Sequence, residues 1–135
     1  MKKVSFDYDG TLGDHFYGEE NPHKEEIQEL LVELVNDESF DVYIITRRFG
    51  PENSSKGATS EHEVVLNLLK TLNIQLPEEK IIFTNREYKY SLINKLNIDI
   101  HLDDDREHEL IKKFTKGSSV NIQHPKWREK FEELL

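Results

Sequence analysis

Apolar positions in this chain recur at two spacings. Short runs rich in β-branched and aromatic residues occupy 4–8 (VSFDY), 41–46 (DVYIIT), 80–83 (KIIF), 99–102 (DIHL) and 119–123 (SVNIQ), the pattern of strands buried in a sheet. Between and after them the spacing widens to that of amphipathic helices. Ile27, Leu30, Leu31 and Leu34 form one such stripe, and Val65, Leu68, Leu69 and Leu72 a second. Leu92, Ile93 and Leu96, then Leu110, Ile111 and Phe114, and finally Trp127, Phe131 and Leu134 supply three more. Strand and helix alternate along the chain, which predicts parallel strands joined by helical crossovers.

Local signals set the boundaries. Pro22 suits the opening of the first helix, Ser60-x-x-Glu63 has the form of a capping box for the second, and Pro77 precedes the third strand. Lys89 falls in the first turn of the third helix. The predicted fold is one α/β domain over residues 1–135, a Rossmann-like three-layer sandwich around a central, mostly parallel five-stranded sheet. Ligands of such sheets bind in the crevice beyond the carboxyl ends of the strands, where Asp7, Thr46 and Asp103 all map. The 14 residues 47–60 are polar and long for a connection, which points to a functional loop.

Composition narrows the function classes. A formal net charge of −9 excludes a broad nucleic-acid surface and gives no pull toward anionic membrane. Asp7, Asp9, Asp103, Asp104 and Asp105 nevertheless lie in two tight groups that a cation could neutralise. There is no cysteine, so a metal must be held by oxygen or imidazole, and the absence of disulfides fits a reducing compartment. Asp7 and Asp9 interrupt any apolar core of a leader, and no run approaches a membrane helix, so a cytoplasmic protein is expected. Asn53-Ser54-Ser55 would be a glycosylation acceptor only in a secreted chain.

The two acidic groups carry the chemistry. Asp7 and Asp9 sit two residues apart at the end of a buried strand, and Gly10-Thr11 lets the backbone turn sharply around whatever they bind. A hard cation such as magnesium, held between Asp7 and Asp103, can bridge to a phosphoryl oxygen, with Thr46 and Lys89 on the remaining oxygens. A hydroxyl, an ammonium and a divalent ion around one phosphoryl group supply the positioning and charge neutralisation that phosphoryl transfer needs.

The chain here resembles the haloacid dehalogenase superfamily, through four motifs in order. They are FDYDGTL at Asp7 and Asp9, IIT at Thr46, Lys89 at the opening of the helix before the second acidic group, and HLDDD at Asp103 and Asp104. The resemblance implies a magnesium-dependent phosphatase in which Asp7 forms an aspartyl-phosphate and Asp9 serves first as acid and then as base. It implies magnesium ligation by the Asp7 side chain, the Asp9 backbone carbonyl and Asp103, with Asp104 ligating through water or orienting the shell. The triple Asp leaves open whether Asp103 or Asp104 is the direct ligand. Neither connection is long enough for a full cap domain, so a capless member is implied, open to bulky phosphomonoesters or macromolecular ends unless a partner subunit closes it, with residues 47–60 and 13–20 as the available walls. Thr46-Arg47-Arg48 further resembles the Thr/Ser-x-Arg of polynucleotide 3'-phosphatase domains, which makes Arg48, and after it Arg47, candidate contacts to a nucleotide phosphate, beside Gly10.

The expected substrate is therefore a small phosphomonoester or nucleotide, or a nucleic-acid end, and the expected assembly a monomer or small homo-oligomer. A receiver-like phospho-aspartate signalling domain uses a similar set, but it places the acidic pair first and the lysine after the Thr/Ser strand. A catalytically silent binding module of the same fold would lack motif residues. His101 and His108 are assigned structural roles, with His101 beneath the site or on the opposite sheet face. Asp105 suits a helix N-terminus, and residues 50–57 (GPENSSKG) lack the spacing of a P-loop.

Overall fold

In the computed structural model, which describes residues 1–53, 60–104 and 107–135, each predicted run becomes a strand and each stripe a helix. The order is β1 (Lys2–Phe6), α1 (Lys24–Val35), β2 (Phe40–Thr46), α2 (Glu61–Thr71), β3 (Ile81–Phe83), α3 (Tyr90–Lys95), β4 (Ile100–Asp103), α4 (His108–Phe114), β5 (Ser118–Asn121) and α5 (Trp127–Glu133). The strands form one sheet in the order β3-β2-β1-β4-β5, and every pairing is parallel. This is the Rossmann-like α/β architecture that the alternation predicts. Among the described residues no helix is long and apolar enough to cross a membrane.

Side-chain alternation along the strands builds the layers. Val4, Phe6, Val42, Ile44, Ile100, Leu102 and Val120 face one side, against Ile27, Leu30, Leu31 and Leu34 of α1, Val65 and Leu69 of α2, and Trp127 and Phe131 of α5. Tyr43 and Ile45 face the other side, against Ile93 of α3 and Ile111 of α4, with Ile98. Three helices thus cover one face and two the other. The chain runs outward from β1 to β2 and β3, then returns across the sheet to β4 and β5. The switch point lies between the carboxyl ends of β1 and β4, where such sheets open a crevice.

Three local details depart from the sequence pattern. Pairing of β1 starts earlier and ends at Phe6 rather than Tyr8, although the Asp7 N–H still donates to Leu102 O at 2.9 Å. Beyond it the chain winds into a wide turn closed by Gly13 N–H to Tyr8 O at 2.9 Å, with Gly10 in the left-handed region at φ 72°. Ser60 caps α2 through its carbonyl, which accepts Glu63 N–H at 3.0 Å, and its side chain makes no capping bond. Lys89 stands just before α3, at its cap, rather than inside its first turn. Residues 54–59 of the long polar loop and Asp105 lie outside the described residues.

The turn from α4 into β5 leaves no room at Gly117, where a Cβ would stand 2.5 Å from the backbone oxygen of Ile98. Backbone cannot swing aside as a side chain can. Gly117→Ala is therefore expected to lower folding stability by about 1–3 kcal/mol, read from the midpoint of chemical denaturation. An unchanged midpoint would mean that the turn relaxes freely.

Candidate active site

The parallel register brings the two acidic groups together. Ser5 pairs with His101 and Phe6 with Leu102, so the next residues, Asp7 and Asp103, emerge side by side at the rim. Their side chains share the parity of Ser5 and His101, which turns them toward the face covered by α3 and α4. Lys89, from the cap of α3, reaches in between. Its Nζ lies 2.6 Å from Asp7 Oδ1 and 2.7 Å from Asp103 Oδ2, and all three residues are buried. Thr11 Oγ1 donates to the other Asp7 oxygen at 3.3 Å.

A third acid joins the cluster. Asp7, Asp103 and Asp104 each offer a carboxylate oxygen, all within 4.8 Å of one another. At that separation two carboxylates repel by about 3 kcal/mol at an effective dielectric of ~20. Burial pushes the Asp7 carboxyl well above the ordinary aspartate value, and the charge of Asp103 adds to the push against Lys89. Burial also opposes ionisation of Asp103, but Lys89 and His101 outweigh it and hold that group well below the ordinary value. Burial lowers the affinity of Lys89 for its proton, and the charges of Asp103 and Asp7 more than restore it, so the ammonium persists. Three hard oxygen donors converging at one rim are a donor set that suits a magnesium-type cation.

Beneath Asp103 lies His101, whose Nε2 is 2.8 Å from Asp103 Oδ2 and whose Nδ1 is 2.7 Å from Ser5 Oγ. Burial lowers its pKa despite the neighbouring carboxylate, so the ring is neutral. Of the two placements considered for this histidine, it takes the one beneath the site, on the same face as the acids. His108 bonds Ser119 Oγ and the Asp104 carbonyl, a structural role. Glu107 accepts the N–H groups of Lys89 at 2.7 Å and Tyr90 at 3.1 Å through Oε1. Its Oε2 is buried without a hydrogen-bond partner among the described residues, and burial raises its pKa.

Asp9 separates from Asp7. Arg48 grips its carboxylate with two bonds, Nε to Oδ2 at 2.9 Å and Nη2 to Oδ1 at 2.7 Å. Thr46 is fully buried, with its Oγ1 accepting the Arg48 N–H at 3.3 Å. Arg47 turns toward the next loop, where it donates to the Arg86 carbonyl at 2.7 Å and covers the Tyr88 ring. Gly10 is wedged against the site: a Cβ there would come within 2.7 Å of His15 Nδ1 and 2.8 Å of Asp104 Oδ2.

A cavity of about 410 Å³ opens over these groups. Asp7, Asp103, Lys89 and Glu107 line it along with Asp9 and Asp104, and so do His15, Phe16, Tyr17, Glu19, Arg47, Arg48 and Arg86. Tyr8, Arg48, Phe16, Arg86 and Phe49 stack in alternation, each guanidinium 4.5–5.2 Å from the rings beside it. Arg86 is fixed by a two-bond pair with Glu61, and both Asn85 and Arg86 take positive φ to reach the loop after β2. Of these, His15, Phe16, Arg86 and Glu107 carry no motif. Only the two-residue spacing of His101 and Asp103 on one strand signals their contact in advance.

The raised pKa of Asp7 has a sign that can be checked. The metal-free fold loses stability as pH climbs from the ordinary carboxylate range through the raised value, because the unfolded chain ionises first. Asp7→Asn removes that loss. It is expected to raise the melting temperature of the chelator-treated protein by several degrees at neutral pH, with the gain closing toward about pH 4. A variant less stable than the parent throughout would show that Asp7 is stabilised, not strained, by its surroundings.

No protein-family model and no curated protein matches this chain, so its chemistry rests on the geometry of this site.

Proposed function

We propose that this chain is a magnesium-dependent phosphomonoester hydrolase of the haloacid dehalogenase type, working in the cytoplasm through an aspartyl-phosphate on Asp7. The observation that carries the proposal is the convergence of Asp7, Asp103 and Asp104 within 4.8 Å at the switch point of a parallel sheet, with Lys89 between the first two. Asp7, Asp103 and Asp104 would hold the ion, with the Asp9 carbonyl completing the set. Magnesium, when bound, neutralises the acids and the phosphoryl oxygens, which lets Asp7 act as an anion.

In the first step an Asp7 oxygen attacks phosphorus, the bond from phosphorus to the ester oxygen breaks, and Asp9 gives its proton to the departing alcohol. In the second, Asp9 takes a proton from water, whose oxygen attacks phosphorus and releases inorganic phosphate from Asp7. Lys89 keeps Asp7 aimed, and Thr46 donates to a phosphoryl oxygen. Arg48 holds Asp9 through two hydrogen bonds. An incoming dianionic phosphoryl group competes for the guanidinium and frees the carboxyl for proton transfer.

The walls favour a nucleotide or nucleic-acid end over a sugar phosphate. Phe16 is 44% exposed and Tyr17 91% exposed at the mouth, beside Arg47, Arg48 and Arg86. Rings stack on nucleobases, and guanidinium groups bind phosphates.

A magnesium-dependent phosphatase screen over nucleotides, sugar phosphates and phosphorylated oligonucleotide ends tests the proposal. Turnover is expected for at least one nucleotide-type substrate, with Asp7→Asn inactive and Asp9→Asn slowed by about 10²–10⁴-fold. Arg48→Ala is expected to raise KM by roughly 10- to 100-fold. Activity that survives Asp7→Asn removes Asp7 from the mechanism. A stable phosphorylated chain without turnover identifies a signalling domain instead.

A further inference from the structure

Beneath the acids lies a buried polar pair that the proposed steps do not use. Ser5 and His101 face each other across β1 and β4, one rung below Asp7 and Asp103, and both are fully buried. Their strand neighbours Val4, Phe6, Ile100 and Leu102 are apolar core residues. Packing alone would be served by valine or isoleucine, since a buried imidazole and hydroxyl are costly unless every polar atom is bonded. Here each one is. The ionised Asp103 can only accept, so Nε2 bears the proton and donates to Oδ2, and Nδ1 accepts the Ser5 hydroxyl.

An imidazole held at both ends cannot turn without breaking a bond. Lys89 does not provide the same restraint, because its flexible ammonium is divided between Asp103 and Asp7, and Asp7 changes its chemistry during turnover. The histidine's grip on Asp103 is independent of Asp7. We propose that His101, oriented by Ser5, is a positioning residue that fixes the Asp103 carboxylate through Oδ2 and leaves its other oxygen directed at the cation shared with Asp7 and Asp104. This rests on the magnesium-dependent reading of the site. It assigns the histidine no proton-transfer step and no contact with substrate.

The test titrates magnesium into substrate-free protein and follows the melting temperature, beside steady-state kinetics across magnesium concentration. His101→Leu removes the donor while filling the space, His101→Gln retains a donor of similar reach, and Ser5→Ala frees the ring. His101→Leu is expected to weaken magnesium binding by about 10- to 100-fold, with most of the affinity recovered in His101→Gln. Ser5→Ala is expected to weaken it several-fold, and excess magnesium should restore kcat in all folded variants.

Equal magnesium affinity in the parent and His101→Leu, with only the metal-free melting temperature lowered, would show a packing role and overturn the proposal. Should His101→Leu fail to fold, the same comparison on Ser5→Ala decides it. A parent protein with no magnesium-dependent shift removes the metal centre and the positioning role together. A magnesium shift that depends on His101, in a protein that hydrolyses nothing, upholds the positioning role and defeats the hydrolase reading.

Discussion

The site is governed by the convergence of three acids at one rim of the sheet. Asp7 and Asp103 are brought to neighbouring strand ends by parallel pairing, Asp104 stands beside them, and one buried ammonium, Lys89, is divided between the first two. Burial, and after it the charge of Asp103, hold the Asp7 carboxyl well above the ordinary carboxylate range. Under the proposed function a divalent cation would offset the charge of the acids and let Asp7 ionise.

The surroundings hold the acids and the cavity wall in place. Reciprocal bonds clasp the loops after β2 and β3: Arg86 N–H donates to the Arg47 carbonyl at 2.8 Å, and Arg47 donates back to the Arg86 carbonyl. The positive φ values of Asn85 and Arg86 are the local strain of that clasp. Arg48 and Arg86 are locked at once by carboxylates and by rings, so the wall of the cavity is preformed rather than recruited. Below, Glu107 ties down the backbone of Lys89, and His101 ties down Asp103.

Much of the fold was legible in the hydrophobic spacing. Val42 to Ile45 alternate between two cores, and the stripes of α1, α2 and α5 find one face of the sheet, those of α3 and α4 the other. Strand order was not legible, since the outward path from β1 to β3 and the return to β4 depend on long-range packing. Asp7 and Asp103 were placed at strand ends by the spacing of the runs, whereas Lys89 was singled out by the motif order of the resemblance; the structure brings all three together. The pairing of Asp9 with Arg48 was not legible, because it joins two loops 39 residues apart that no periodicity relates. Arg86 and Glu107 were missed for the same reason: loop side chains acquire neighbours only from the fold. His101 was in reach, since residues two apart on a strand share a face.

The most direct test of the shared-cation account is anomalous diffraction from crystals soaked in manganese, a close stand-in for magnesium at oxygen ligands. The account predicts one peak at the β1/β4 rim, about 2.1 Å from carboxylate oxygens of both Asp7 and Asp103. A fully soaked crystal with no peak at that rim, and with Lys89 still bonded to both acids, would contradict it.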